Sequence, residues 1–270
     1  MNITYFDFNR RVDVNATTEY YELLRSILKI KKLVGKNLVR IGKANDGGYV
    51  MVNDFKSKIA YSFGIAGDVS WDLDMANRGY EIFMYDPTID GLPQENARFH
   101  FFKEGIAGFE FPDKNLNTLE SFIKRNGHED KDNMILKMDV EGAEWEFLST
   151  VSSELLSEFD QMVFEFHDLT APKNQSEMFS TLACIKKVTR THSLVHLHAN
   201  NNGSLLILDD KILFPDVLEL TYVKTSNYEL VDDENIFLPN FFDQPNHPYR
   251  QDIPLGFWNR EFNNVLTIVE

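Results

Sequence analysis

Ile135-Leu-Lys-Met-Asp-Val-Glu-Gly-Ala-Glu-Trp145 reads as a buried strand that stops on an acid and turns at once into a helix. The apolar run over 134–138 suits a strand covered on both faces. It delivers Asp139 at its carboxyl end. Gly142 permits the tight turn. Glu141 and Glu144 stand about the start of a helix expected over 143–156, where the dipole favours acids. Helix capping accounts for Glu144 but leaves the strand-terminal Asp139 without a local purpose.

Outward from this unit the pattern alternates. Strands are expected over 59–65, 81–85, 99–103, 161–167, 194–198, 205–208 and 217–224, and helices over 70–78, 116–125 and 175–188. Such alternation implies right-handed crossovers and a mostly parallel α/β sheet with helices on both faces. A short loop around Lys211 to Asp216 separates the last two strands, with no room for a crossover helix. They are expected to form an antiparallel hairpin at one edge. Residues 17–34 carry apolar groups at helical spacing, with Thr17 or Thr18 as N-cap. The whole chain, 1–270, reads as one domain, with a helical cap over about 1–45 and a tail over about 226–270 packed on the body.

The 270 residues carry a net charge of -15. Such a chain repels nucleic-acid phosphates unless it holds a local basic patch. The densest basic run, Lys29 to Lys36, reads as a solvated helix end. No run of about 18 apolar residues is present, so no membrane span is expected. The N-terminal MNITYFDFNRRVDVN lacks a signal peptide's apolar region. The single cysteine, Cys184, allows no intrachain disulfide, and a cytoplasmic setting is the default.

In open α/β sheets, ligands bind at the carboxyl ends of the strands. The first strand runs into Ser62-Phe-Gly-Ile-Ala-Gly-Asp68. Gly64 and Gly67 would let backbone approach a ligand, and Asp68 would lie near a helix N-terminus. The second strand ends at Asp86, where an acid typically accepts hydrogen bonds from the ribose hydroxyls of a nucleoside cofactor. A tight turn and an ordinary Asp-Pro loop read these residues equally well. The loop lacks G-x-G-x-x-G, which speaks against a pyrophosphate cofactor.

Residues 135–148 resemble the FkbM-like methyltransferases, whose hallmark is an apolar strand followed by Asp-x-Glu-Gly-Ala/Ser-Glu and an aromatic or apolar residue. Arg40 to Tyr49 matches the Arg-x-Gly-x-x-x-Asp-Gly-Gly-Tyr of a subgroup found among sugar-modifying proteins. Ser62 to Gly64 matches its first loop, and His196 to Asn201 its late His-x-His-x-Asn-Asn. The resemblance covers roughly 35–225, with two first-loop glycines where three are common. It implies a Rossmann-like class I methyltransferase with a mostly parallel seven-stranded sheet and an antiparallel edge hairpin. It implies S-adenosylmethionine as cofactor, lined by Gly64, Asp68, Asp86 and Asp139, with Asp46, Gly47 and Gly48 closing over it. A simple Asp-Gly-Gly turn reads Asp46 to Gly48 equally well.

Glu165 and His167 lie two apart on one strand, as do His196 and His198, so each pair shares a face. In this fold Asp139, Glu165, His167 and His198 are expected to converge above neighbouring strand ends. Two chemistries follow. A histidine would take the proton of an attacking hydroxyl. Alternatively, Mn²⁺ or Mg²⁺ held by Asp139, Glu165 and His198 would lower that hydroxyl's pKa.

By analogy with the family, the small-molecule substrate is a sugar hydroxyl, nucleotide-linked or part of a surface glycan. Asn246-His-Pro-Tyr-Arg250 and Trp258 would grip it, or merely cover the sheet. A homo-oligomer is left open. An NAD(P)-dependent oxidoreductase lacks its glycine loop and a Tyr-x-x-x-Lys pair here. A non-catalytic binding protein would not need polar groups at so many strand ends. A glycosyltransferase Asp-x-Asp at Asp72 and Asp74 would fall inside a helix.

Overall fold

The computed structural model describes residues 3–5, 14–172, 174–208 and 212–260. The signal-peptide reading of the first fifteen residues, the 209–211 part of the late connection and the last ten residues of the tail lie wholly or mostly outside them. Seven strands form the central sheet: β1 (Ile59–Phe63), β2 (Glu81–Tyr85), β3 (Phe99–Phe102), β4 (Met134–Met138), β5 (Phe159–Phe166), β6 (His192–Ala199) and β7 (Leu218–Lys224). Their spatial order is β6-β7-β5-β4-β1-β2-β3. The pairings among β5, β4, β1, β2 and β3 are parallel, whereas β7 runs antiparallel to both β5 and β6. The expected mostly parallel, seven-stranded α/β sheet is present.

The edge differs in detail. Leu205–Leu208 does not enter the central sheet. It pairs with Ile212–Pro215 and with Ile3–Tyr5 in a separate antiparallel sheet. The hairpin partner of β7 is therefore β6. The cause is local: 212–215, expected as a loop, is itself extended and buries Phe214 against Tyr21 and Trp258.

Helices cover the sheet unevenly. α1 (Val14–Ile27), α3 (Leu119–Arg125), α4 (Glu144–Thr150), α5 (Ser153–Leu156) and α6 (Gln175–Val188) supply residues to one core, and α2 (Ser70–Asn77) packs on the other face. The expected helix over 143–156 breaks after Thr150, where Ser152 caps α5 by accepting from Leu155 N. The expected helix over 116–125 starts only at Leu119, after the cap Thr118. Among described residues no helix is long and apolar enough to cross a membrane.

α1 begins before Thr17 and ends at Ile27, so neither Thr17 nor Thr18 is its N-cap and the basic run is not helical. Lys31–Leu33 instead forms a strand antiparallel to Leu230–Asp232. Lys31 pairs with Asp232, Lys32 with Asp233 and Lys36 with Asp54. Tertiary pairing with an acidic strand overrides helical spacing here, and the three lysines are neutralised rather than offered as a patch.

A hairpin, Leu38–Ile41 with Tyr49–Val52, covers much of the α2 face. Gln161 of β5 accepts from Val52 N at 2.9 Å and donates to Val52 O at 3.0 Å. Thr221 of β7 donates to Val50 O. These buried polar pairings fix the hairpin's register on the sheet, because either group left unpaired would carry a desolvation penalty. They also set Tyr49 over the ends of β4 and β5.

Candidate active site

The carboxyl ends of β1, β2 and β4 border a cavity of about 520 Å³. Its walls come from the first-strand loop, the hairpin loop 43–47, Asp86 and the turn after β4. Gly64 holds φ +78, and a Cβ there would fall 1.5 Å from Asp139 O. Only glycine permits that approach of the two strand ends. Gly67 is different. A Cβ on it would meet nothing within 4 Å, yet it lines the cavity. The protein itself does not need glycine there, whereas a ligand in close contact with the loop would.

Lys137, buried in β4, donates to Gly64 O at 2.5 Å and fixes the loop from below. Asp86 fixes it from the side. One of its oxygens accepts from Ile65 N and Ala66 N at 2.9 and 2.8 Å, and the other from Thr88 N and Oγ1 at 2.7 and 2.6 Å. Burial works against ionisation, but these donors hold the carboxyl below its ordinary range. A carboxylate has about four acceptor positions, so Asp86 is already saturated as a loop brace. The expected ribose contact would have to displace one of these donors.

Asp68 accepts from Ser70 N at 2.9 Å and pairs with Lys43 at 2.5 Å. Burial opposes its ionisation, while the Lys43 and Ser70 donors prevail and lower its pKa. It thus ties the start of α2 to the hairpin loop. Asp46 lines the cavity, and burial together with the charges of Asp139 and Glu219 pushes its pKa up. Gly48 does not line it. A Cβ there would lie 2.1 Å from Lys43 O and 2.9 Å from the Arg40 guanidinium, so its glycine serves the turn.

At the cavity's inner end the acids and a histidine converge. The Tyr49 hydroxyl donates toward Asp139 Oδ2 at 3.0 Å and Glu165 Oε2 at 3.3 Å. His167 Nε2 lies 3.5 Å from Glu165 Oε1, 3.5 Å from Glu141 Oε2 and 3.8 Å from Asp139 Oδ1. Burial alone would make His167 a weaker base, but hydrogen bonds with Glu144 and Glu165 override it and push the pKa up to about 11. Glu165 moves the other way from an ordinary acid: burial, then the Asp139 charge, raises its pKa. Without another cation, the His167 proton is what balances these carboxylates.

Asp139, Glu141 and His167 bring their ligand atoms within 4.8 Å of one another, the spacing a cation requires. The expected ligand set of Asp139, Glu165 and His198 does not assemble in this way. His198 Nδ1 lies 2.9 Å from Glu219 Oε2, and Nε2 lies 3.0 Å from Asp252 Oδ1. Both ring nitrogens are thus spent. Burial opposes the charge, yet the two carboxylates push the His198 pKa up to about 10, which removes it as a base near neutral pH. Its link to the cluster among the described residues is Glu219, the cross-strand partner of both His198 and Glu165. His196 Nε2 likewise lies beside an acid, 2.9 Å from Asp243 Oδ1.

Four residues of the site were not expected from sequence: Tyr49, Glu144 in its role at His167, Asn200 and Glu219. Asn200 donates to Glu165 Oε1 at 2.7 Å. Tyr49 and Asn200 did stand inside the quoted motifs, which was the available signal. In the tail, Asn246 donates to Glu219 Oε1 at 2.6 Å, close to the cluster. Trp258 lies elsewhere, buried beneath Arg25 with its indole donating to Leu28 O, and cannot grip a ligand in the cavity. Asp72 and Asp74 diverge: Asp72 is buried near Lys137, and Asp74 accepts from Gly42 N.

The profile of the Methyltransferase FkbM domain matches residues 9–189. The chain belongs to the FkbM methyltransferase domain family. A stretch of 118 residues is 28% identical to the human "Probable methyltransferase-like protein 24", covering 40% of this chain and 32% of that protein. The FkbM-domain chain thus matches about a third of the length of that curated relative. Among solved structures, a putative hemolysin from Streptococcus thermophilus shares 12% identity at TM-score 0.38 and covers 73% of this chain and 64% of its own. A putative methyltransferase from an antibiotic biosynthesis pathway of Anabaena variabilis shares 12% at TM-score 0.30 and covers 54% and 61%.

Proposed function

We propose that this protein is an S-adenosylmethionine-dependent O-methyltransferase acting on a sugar hydroxyl, carried by a nucleotide-linked sugar or a surface-glycan precursor. One observation carries the reading: a cavity floored by the glycine loop after β1 ends at a cluster of acids around His167 and Tyr49. Gly64, Gly67, Asp68 and Asp46 would hold the cofactor, with Asp86 keeping the loop in shape. When bound, S-adenosylmethionine supplies an electrophilic methyl group on a cationic sulfur, which an acidic cavity favours.

The chain's own part is to orient the acceptor and take its proton. Holding oxygen, carbon and sulfur in line contributes much of the rate in such transfers. Asp139 Oδ2 is engaged by Tyr49, so Oδ1, 3.8 Å from His167 Nε2, would be the proton acceptor. Charged His167 and His198 position carboxylates rather than accept protons. Mn²⁺ or Mg²⁺ at Asp139, Glu141 and His167 is the second version, favoured by the gathered ligand atoms. Glu144 would then orient the imidazole from behind, as outer-shell carboxylates do. Such a cation would supply Lewis-acid stabilisation of the bound hydroxyl. In the same reading, 1–270 is one cytoplasmic domain.

Calorimetry tests it. S-adenosylmethionine or its demethylated product should bind the purified protein with or without Mn²⁺, and NAD⁺ should give no heat. Binding of NAD⁺ alone, or of neither methyl-cofactor form, would remove the methyltransferase assignment.

A further inference from the structure

The two acceptor classes above differ in charge, and the rim of the site discriminates between them. We infer that the acceptor is an uncharged glycan end, stacked on Phe241 and Tyr249, rather than a nucleotide diphosphate sugar. The inference rests on the methyl-transfer reading of the same site.

A diphosphate needs free cations or open backbone donors. The cavity wall offers Lys43 and Lys137 against Asp46, Asp68, Asp72, Asp86, Asp139 and Glu141. Lys43 is paired with Asp68, and Lys137 donates to Gly64 O beside Asp72. The start of α4 is filled by its own acid, since Glu144 accepts from Gly142 N at 2.9 Å. Arg40, at the hairpin loop, spends its guanidinium on Lys43 O, Asn45 O and Phe242 O. Arg250, the cation of the segment 240–252, commits one N–H to Asn201 O at 3.2 Å and is otherwise exposed to solvent, outside the residues that line the cavity. Two further negative charges brought here would meet carboxylates first.

Among the described residues, the same segment carries the two most exposed large apolar side chains, Phe241 at 90% and Tyr249 at 92%. Among the described residues, Phe241 meets the ring of Phe242 alone and Tyr249 that of His247 alone. Their backbone is held firmly against the site. Asn45 donates to Pro245 O at 2.7 Å, Asn246 binds Glu219, and His247 N donates to Asn201 Oδ1 at 2.6 Å. Exposed rings on a segment anchored beside the site match the faces of sugar rings, whose C–H groups pack on aromatics while their hydroxyls stay hydrated.

The test is a rate comparison with S-adenosylmethionine present. Matched panels of neutral aryl glycosides and oligosaccharides, and of the corresponding nucleotide diphosphate sugars, are read by S-adenosylhomocysteine release and product mass. Turnover is expected in the neutral panel and not in the nucleotide panel. The double variant Phe241→Ala/Tyr249→Ala should raise KM for the accepted glycan about tenfold, with kcat and S-adenosylhomocysteine affinity within about twofold of the parent. Preference for nucleotide sugars, or an unchanged KM in the double variant, overturns the inference and leaves sugar methylation standing. Methylation of neither panel overturns both.

Discussion

Glu144 Oε1 accepts the backbone N–H of His167 at 2.7 Å and lies 3.1 Å from the same residue's Nδ1, while its Oε2 accepts from Gly142 N. One buried carboxylate therefore joins the turn after β4 to the end of β5 and aims His167 Nε2 at Asp139, Glu141 and Glu165. Glu144→Gln keeps acceptor oxygen for one of these donors and removes the charge that balances the imidazolium. The expected result is a loss of about 1–3 kcal/mol in stability by urea titration. With it goes a fall in kcat of about tenfold or more at nearly unchanged cofactor affinity. Wild-type kcat in a folded Glu144→Gln protein would mean that His167 needs no such aiming.

Tyr49 sits between two acids that would otherwise repel each other. Its hydroxyl reaches both Asp139 and Glu165, and burial with their charges lifts its own pKa well above the ordinary phenol range. It therefore remains a donor throughout the working pH range. Tyr49→Phe preserves the ring that packs in the hairpin core and deletes only this donor. kcat should fall about ten- to a hundredfold, with cofactor affinity within about threefold by calorimetry. A loss confined to cofactor affinity would instead assign Tyr49 to the cavity wall.

Asp86 has a second task beside the one its position suggested. With its carboxylate oxygens accepting from Ile65, Ala66 and Thr88, it braces the loop, and a ribose contact would have to compete with these donors. Asn at this position has one acceptor oxygen and an NH₂ facing donors. Asp86→Asn should weaken S-adenosylhomocysteine binding about tenfold or more, and amide exchange at Ile65 and Ala66 should accelerate. Weaker binding with unchanged exchange at those two amides would point to direct ribose contact instead.

These cases show what local sequence conveys. Gly64, Asp139 and the alternation of strands and helices are properties of short windows, since turn residues and periodicity act over a few positions. The mostly parallel sheet was legible for that reason, whereas its count of seven strands came with the family resemblance and not with the alternation, which counted 205–208 as well. The partners of His198 were not, because Asp252 reaches it across 54 residues and Glu219 across 21. A histidine's role depends on what occupies its second nitrogen, and no spacing rule states that. The stretch 29–33 failed in the same manner. Its apolar spacing suited a helix, but Lys31 meets Asp232 across 201 residues, and strand pairing prevailed. Tyr49 entered the site because Gln161 and Thr221 hold its hairpin down, again through contacts far apart in the chain.

His192 supplies an acid-sensitive element distant from this chemistry. Its ring is buried, with Nε2 at 2.9 Å from Phe159 O and Nδ1 at 2.9 Å from the Thr191 hydroxyl. A neutral ring satisfies both contacts, donating from Nε2 and accepting at Nδ1. Burial lowers its pKa to about 4, with the Phe159 carbonyl opposing and the Lys224 charge assisting. The folded pKa is thus below the ordinary 6.5, so the unfolded chain binds the proton first. The associated stability is fully present above about pH 6.5 and is lost as pH falls toward about 4, amounting at most to roughly 3 kcal/mol. Glu165, whose folded pKa is raised, acts with the opposite sign in part of this window, so the parent curve alone is mixed. The difference between parent and His192→Gln isolates the histidine. Urea unfolding free energies measured from pH 7 down to about pH 4 should converge as the parent loses what the variant never had. Parallel curves would show that His192 already carries its proton in the folded protein.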